Sequence, residues 1–97
     1  MQATLNGCPI FYEVRKRYEA NAPCVLLLHG WGCDHTVFSA LEASLADRYT
    51  TISVDFPGHG KSGEPVTPWG VSEYMEQMYE LLQQLGIKRT NVIAHSF

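Results

Sequence analysis

Hydrophobic and polar positions change period along the chain, and the changes mark its elements. Cys8, Ile10, Tyr12 and Val14 alternate with Pro9, Phe11, Glu13 and Arg15, the period of two expected of a strand. Asn6-Gly7 just ahead of them is a two-residue hairpin signal, because both residues tolerate positive φ. Pro9 cannot donate to a ladder, which suits a sheet-edge strand or a strand start. Glu19-Ala20-Asn21-Ala22-Pro23 reads as a turn. Cys24 to Leu28 is continuously apolar, the mark of a strand buried on both faces.

Beyond it, Val37, Phe38, Leu41 and Leu45 keep helical spacing over residues 34–46, with Asp34 as N-cap. Thr51-Ile52-Ser53-Val54-Asp55 predicts a β-branched strand running into a loop over residues 56–70. A second helix follows, opened by Gly70 or Ser72. Val71, Tyr74, Met75, Met78, Leu81, Leu82 and Leu85 share one face as core, and Gly86 supplies the stop. Asn91-Val92-Ile93-Ala94 is a short last strand before a turn at His95-Ser96-Phe97. The order β-β-β-α-β-α-β implies an α/β fold: an edge hairpin, then parallel strands with right-handed crossovers and helices on both faces.

Composition narrows the function classes. The chain has 97 residues, 45% hydrophobic and 18% charged, as in a soluble domain or part of one. A formal charge of −3 gives no reason to expect nucleic acid or an anionic membrane as partner. Arg15-Lys16-Arg17 is too short for a polybasic tail. Polar Gln2 and Thr4 after Met1 lead us to expect no signal peptide, and the longest apolar run, Val25 to Leu28, is too short to span a bilayer. Cys8, Cys24 and Cys33 form no CxxC pair, so neither a disulfide framework nor a zinc site is indicated and a reduced, cytoplasmic setting is expected.

Chemistry gathers at the C-terminal ends of the three parallel strands: His29-Gly30-Trp31-Gly32, then Asp55-Phe56-Pro57-Gly58-His59-Gly60-Lys61-Ser62, then Ala94-His95-Ser96-Phe97. Ligands of open α/β sheets bind at that edge. Two alternatives fail on spacing. A zinc reading of the run from His29 to His35 lacks a ligand, because position 31 is Trp. A phosphate loop at Gly60-Lys61-Ser62 has Phe56 where its first glycine belongs, and Gly63, Pro65 and Pro68 forbid the helix that must follow.

Together the three segments resemble the α/β-hydrolase superfamily, in its serine-nucleophile branch, over nearly the whole chain. The first is similar to the family's HGxG oxyanion loop, the second to its D-x-P-G-H-G-x-S loop, and the third to the start of its nucleophile elbow, GHSFGG. Ala94 stands where the elbow's first glycine is usual, and alanine is small enough for the close strand-to-helix turn. The resemblance implies that residues 1–97 are the N-terminal part of such a domain, ending at the elbow, with the strand ending at Leu28 between those ending at Asp55 and Ala94. It implies Ser96 as nucleophile and the backbone N–H groups of Trp31 and Phe97 as oxyanion donors, each worth about 2.7–4 kcal/mol of transition-state stabilisation. Triad order in the family is Ser, Asp or Glu, then His, so acid and base are expected beyond residue 97.

His29, His35, His59 and His95 are then loop and elbow residues rather than the base. Asp55, His59 and Ser62 order their loop, and Lys61 is solvated. The implied activity is hydrolysis of a small-molecule ester or related acyl substrate through an acyl-serine intermediate, with no cofactor and no metal. Trp31 and Phe97 side chains would suit an apolar acyl or aryl group. Serine at position 96 argues against the dehalogenase and epoxide hydrolase branches, which use aspartate. A non-catalytic ligand-binding member of the fold, or an inactive truncation, are the alternatives.

Overall fold

Asn6 and Gly7 both take positive φ, 51° and 76°, and this turn folds β1 (Gln2–Leu5) onto β2 (Cys8–Arg15) in antiparallel register, Leu5 opposite Cys8. The computed structural model describes residues 1–15 and 22–95. Glu19, Ala20 and Asn21 of the turn predicted over Glu19-Ala20-Asn21-Ala22-Pro23, and the elbow pair Ser96-Phe97, lie outside the described residues. Three more strands, β3 (Cys24–Leu28), β4 (Thr50–Val54) and β5 (Asn91–Ala94), complete a five-stranded sheet of order β1-β2-β4-β3-β5. β3 runs parallel to β4 on one side and β5 on the other, as the resemblance implied, and β2 meets β4 antiparallel.

The hairpin sits at the sheet edge, but β1 is its outer strand and β2 lies inside. Pro9 is tolerated there for a local reason. Tyr12 N donates to Met1 O at 3.0 Å, so alternate residues Ile10 and Cys8 face β1, and Pro9 turns its nitrogen the other way. On that side β4 reaches only Tyr12–Arg15. Opposite Pro9 lies a loop instead, whose Gly63 N–H donates to Pro9 O at 2.8 Å.

Alternate residues of β3 feed two cores. Leu26 packs with Ile10, Ile52, Val54, Phe56, Met78 and Leu81 on one face, while Val25 and Leu27 pack with Phe38, Leu41 and Leu45 on the other. Period two thus puts one helix on each side of the sheet. A 3₁₀ turn, His35–Phe38, leads into α1 (Ser39–Leu45), and Asp34 caps it by accepting from Thr36 N at 2.9 Å. α2 (Val71–Gln84) starts after Gly70 and ends at Gly86, where φ is 73° and Ile87 N donates back to Leu82 O at 2.9 Å.

The predicted core stripe of α2 is only partly buried. Met78 and Leu81 are core, and Tyr74, Leu82 and Leu85 pack against it, whereas Val71 and Met75 are 69% and 68% exposed. Val71 and Met75 flank a hollow over Leu28, Phe56 and Val92 that no described residue fills. Val37 is likewise exposed on its side of the sheet.

Candidate functional site

β3 and β4 are parallel neighbours in register, Leu28 beside Val54, so the segments that follow them, residues 29–33 and 55–62, leave the same sheet edge together. β5 ends beside β3 with Ala94 at the level of Leu28, and His95 N donates to Leu28 O at 2.9 Å. The three sequence segments therefore converge as far as His95. Ser96 and Phe97 follow His95 in sequence and lie outside the described residues.

Asp55 anchors this edge. Its carboxylate is fully buried and accepts from His35 N and His35 Nδ1, both at 2.7 Å, and from Lys61 N at 2.8 Å. A buried carboxylate needs this many donors to offset lost hydration. Ser62 Oγ donates to Asp55 O at 2.5 Å while accepting from Phe11 N at 2.8 Å. Gly60 passes so close that a Cβ there would collide with the Asp55 carboxylate. Asp55 and Ser62 thus order their loop, as expected. Lys61 is exposed, with its ammonium 4.9 Å above the Phe11 ring.

The His29 ring is also buried. Its Nδ1 faces Gly30 O at 2.8 Å and its Nε2 faces Phe56 N at 2.9 Å. A ring nitrogen facing a carbonyl must carry the proton, and one facing an N–H must be bare, so His29 is the neutral Nδ1–H tautomer. Burial pushes its pKa below the usual imidazole range, which favours that neutral form.

Trp31 projects outward, 80% exposed, with its ring edge-on to His59 at 5.2 Å. Residues 30–33 form a β-turn closed by Cys33 N to Gly30 O at 3.1 Å. Gly32 has φ 81°, the value a type II turn requires at its third residue. Among the described residues, nothing accepts from the Trp31 N–H. The turn borders a hollow of about 620 Å³ lined by Trp31, Pro57, His59, Glu64, Trp69 and Tyr74.

Asp34, His35 and Asp55 bring ligand-type atoms within 4.8 Å of one another. Their lone pairs are already directed at hydrogens: Asp55 Oδ1 takes two N–H donors from His35, and Asp34 Oδ1 takes the Thr36 N–H and hydroxyl. Those bonds hold the Asp34 carboxyl below its usual range. The grouping is a hydrogen-bonded joint between the two loops rather than a ligand set.

The sequence placed His35 only at a helix start and missed its pairing with Asp55. Twenty residues separate them, and only parallel neighbouring strands bring them together. Glu64 and Trp69 were missed as lining because their loop has no periodicity to read, and Tyr74 was read only as part of the core face of α2.

A family model described as alpha/beta hydrolase fold matches residues 23–97. The chain is 34% identical over 80 residues to the 2-(acetamidomethylene)succinate hydrolase of Mesorhizobium japonicum, covering 82% of this chain and 29% of that one. It is 48% identical over 46 residues to a pimeloyl-[acyl-carrier protein] methyl ester esterase of Stenotrophomonas maltophilia, 47% of this chain and 18% of the esterase. The enol-lactonase structure from Burkholderia xenovorans superposes with a TM-score of 0.90 at 26% identity, over 97% of this chain and 36% of that one. The chain spans about a quarter of the length of the curated relatives it matches.

Proposed function

The chain belongs to the α/β-hydrolase family, and on that premise we propose that the full-length protein hydrolyses a small ester or related acyl substrate through an acyl-Ser96 intermediate. The observation that carries this reading is the meeting of the 29–33 turn and the 55–62 loop beside the end of β5, two residues before Ser96. The hydrolase, esterase and lactonase among the similar proteins support it.

In this mechanism Ser96 Oγ attacks the acyl carbonyl, its proton passes to a histidine base, and the C–O bond to the leaving group breaks as that histidine returns the proton. Water then attacks the acyl-serine ester by the same route in reverse. The oxyanion of each tetrahedral intermediate accepts from the backbone N–H groups of Trp31 and Phe97. An N–H with no acceptor among the described residues suits that role, because a donor already in place costs no reorganisation during the reaction.

Acid and base come from beyond residue 97. The ring nitrogens of His29 and His59 are all engaged with backbone groups, and His35 Nδ1 is bonded to Asp55. The exposed Trp31 ring and the hollow beside it favour an apolar acyl or aryl group on a small-molecule substrate. No cofactor is required. The unpaired thiols Cys8, Cys24 and Cys33 suit a reducing, cytoplasmic setting.

The test is labelling of the full-length protein with a fluorophosphonate probe. Covalent labelling that disappears in Ser96→Ala is expected. Labelling that survives the substitution refutes Ser96 as nucleophile, and an unlabelled wild-type protein favours a non-catalytic binder.

A further inference from the structure

The histidines of the two loops hold each other's backbone. His29 Nε2 accepts the Phe56 N–H at 2.9 Å, and His59 Nε2 accepts the Gly32 N–H at 3.2 Å. Each ring directs Nδ1 to a carbonyl of its own loop, Gly30 O at 2.8 Å for His29 and Pro57 O at 2.9 Å for His59. Both are therefore neutral Nδ1–H tautomers with Nε2 bare. Their rings form one chain of tilted and edge-on contacts: Phe56 lies 4.8 Å from His29, His29 lies 5.1 Å from His59, and His59 lies 5.2 Å from Trp31.

We infer that His59 is a positioning residue for the oxyanion turn, its Nε2 holding the Trp31–Gly32 peptide in one orientation. That peptide is the middle one of the β-turn over residues 30–33. A middle peptide has two orientations, those of type I and type II turns, and glycine at the third position permits either. Since the peptide is planar, fixing the Gly32 N–H fixes ψ of Trp31 as well. Trp31 is thereby pinned on the C-terminal side of its own N–H. His59 is itself held in place because its loop is clamped at Lys61 N by the Asp55 carboxylate, which passes close to Gly60.

This inference rests on the proposed role of the Trp31 N–H, so its test must separate the two. In the full-length protein, turnover of p-nitrophenyl acetate is compared for wild type, Ser96→Ala, His59→Phe, His59→Gln and His59→Asn. Phenylalanine keeps the ring contacts and removes the acceptor. Glutamine places an oxygen near the Nε2 position, and asparagine falls short of it. His59→Phe and His59→Asn should lower kcat about tenfold or more with KM changed less than about twofold, the pattern of a misplaced oxyanion donor. His59→Gln should stay within about threefold of wild type in kcat. If His59→Phe fails to fold, the Asn and Gln pair decides.

Equal kcat for Asn and Gln variants, or a wild-type kcat in His59→Phe, overturns the positioning role while leaving Ser96 untouched. Turnover that persists in Ser96→Ala overturns the acyl-serine reading, and the inference with it.

Discussion

Asp55 Oδ1 lies 2.7 Å from both the backbone nitrogen and Nδ1 of His35. One carboxylate thereby ties the start of the 3₁₀ turn after β3 to the loop after β4, and its second oxygen holds Lys61 N at 2.8 Å. Two crossovers that the sheet merely brings side by side become one rigid edge.

Asp55→Asn keeps the shape but can offer only one acceptor oxygen to these donors. Hydrogen bonds to a charged group are worth about 1.5–3 kcal/mol each, so the variant should lose about 2–3 kcal/mol of stability. Denaturant unfolding of the full-length protein checks this, and an unchanged midpoint would show that Asp55 is not the anchor.

Gly60 and Gly32 both have positive φ, 49° and 81°, but only Gly60 has the Asp55 carboxylate where a Cβ would go. Gly32→Ala should cost about 1–2 kcal/mol, the backbone strain alone. Gly60→Ala must also displace the carboxylate, which adds about 2 kcal/mol or more. Thermal melts of the two variants side by side make the comparison.

His29 gives a pH signature. Its folded pKa lies below the usual 6.5, chiefly through burial, so the unfolded chain takes up a proton that the folded chain resists. The stability it contributes is complete above that value and is lost as pH falls from 6.5 through the folded pKa. The slope approaches about 1.4 kcal/mol per pH unit for one proton. Unfolding free energies between pH 8 and 5 should show less acid loss in His29→Gln than in wild type.

Glu42 has the opposite sense. It is buried beneath α1 with Arg15 Nε 3.0 Å from its carboxylate. Burial pushes its pKa above the usual 4.5, and Arg15 offsets only part of that. Ionised Glu42 therefore destabilises the fold above its folded pKa, and the cost vanishes as pH falls to 4.5. Glu42→Gln should raise stability by about 1 kcal/mol at pH 8 and progressively less toward pH 4.5. A loss of stability at pH 8 would mean that the pair with Arg15 outweighs the desolvation.

Local signals carried the fold well because they are physical constraints on short windows. Asn6-Gly7 takes the positive φ values that its residue types predict, Asp34 caps the turn it precedes, and Gly86 ends α2 in the left-handed region. The continuous apolar run of β3 is buried on both faces because a separate core packs on each side of the sheet. Of the two readings of Pro9, the strand start holds, as the second residue of β2, and its missing N–H costs nothing because β4 ends at Val54 opposite Tyr12, short of Pro9. Met75 misled: helical spacing identifies the apolar face but not what covers each turn of it.

Within the site, the sequence motifs identified the loops but not their joints. The pairs Asp55–His35 and His59–Gly32 join residues 20 and 27 apart in sequence. No local pattern encodes such contacts, which arise only when β3 and β4 are laid side by side.

The proposed intermediate is an ester bond on one serine, and intact-protein mass spectrometry of the full-length protein reads that bond as added mass. Acid quenching within the first turnovers of p-nitrophenyl acetate should show a population heavier by one acetyl group, with the added mass on the peptide that contains Ser96, and no such species in Ser96→Ala. An acetyl group carried elsewhere, or full turnover by Ser96→Ala, would show that Ser96 is not the nucleophile.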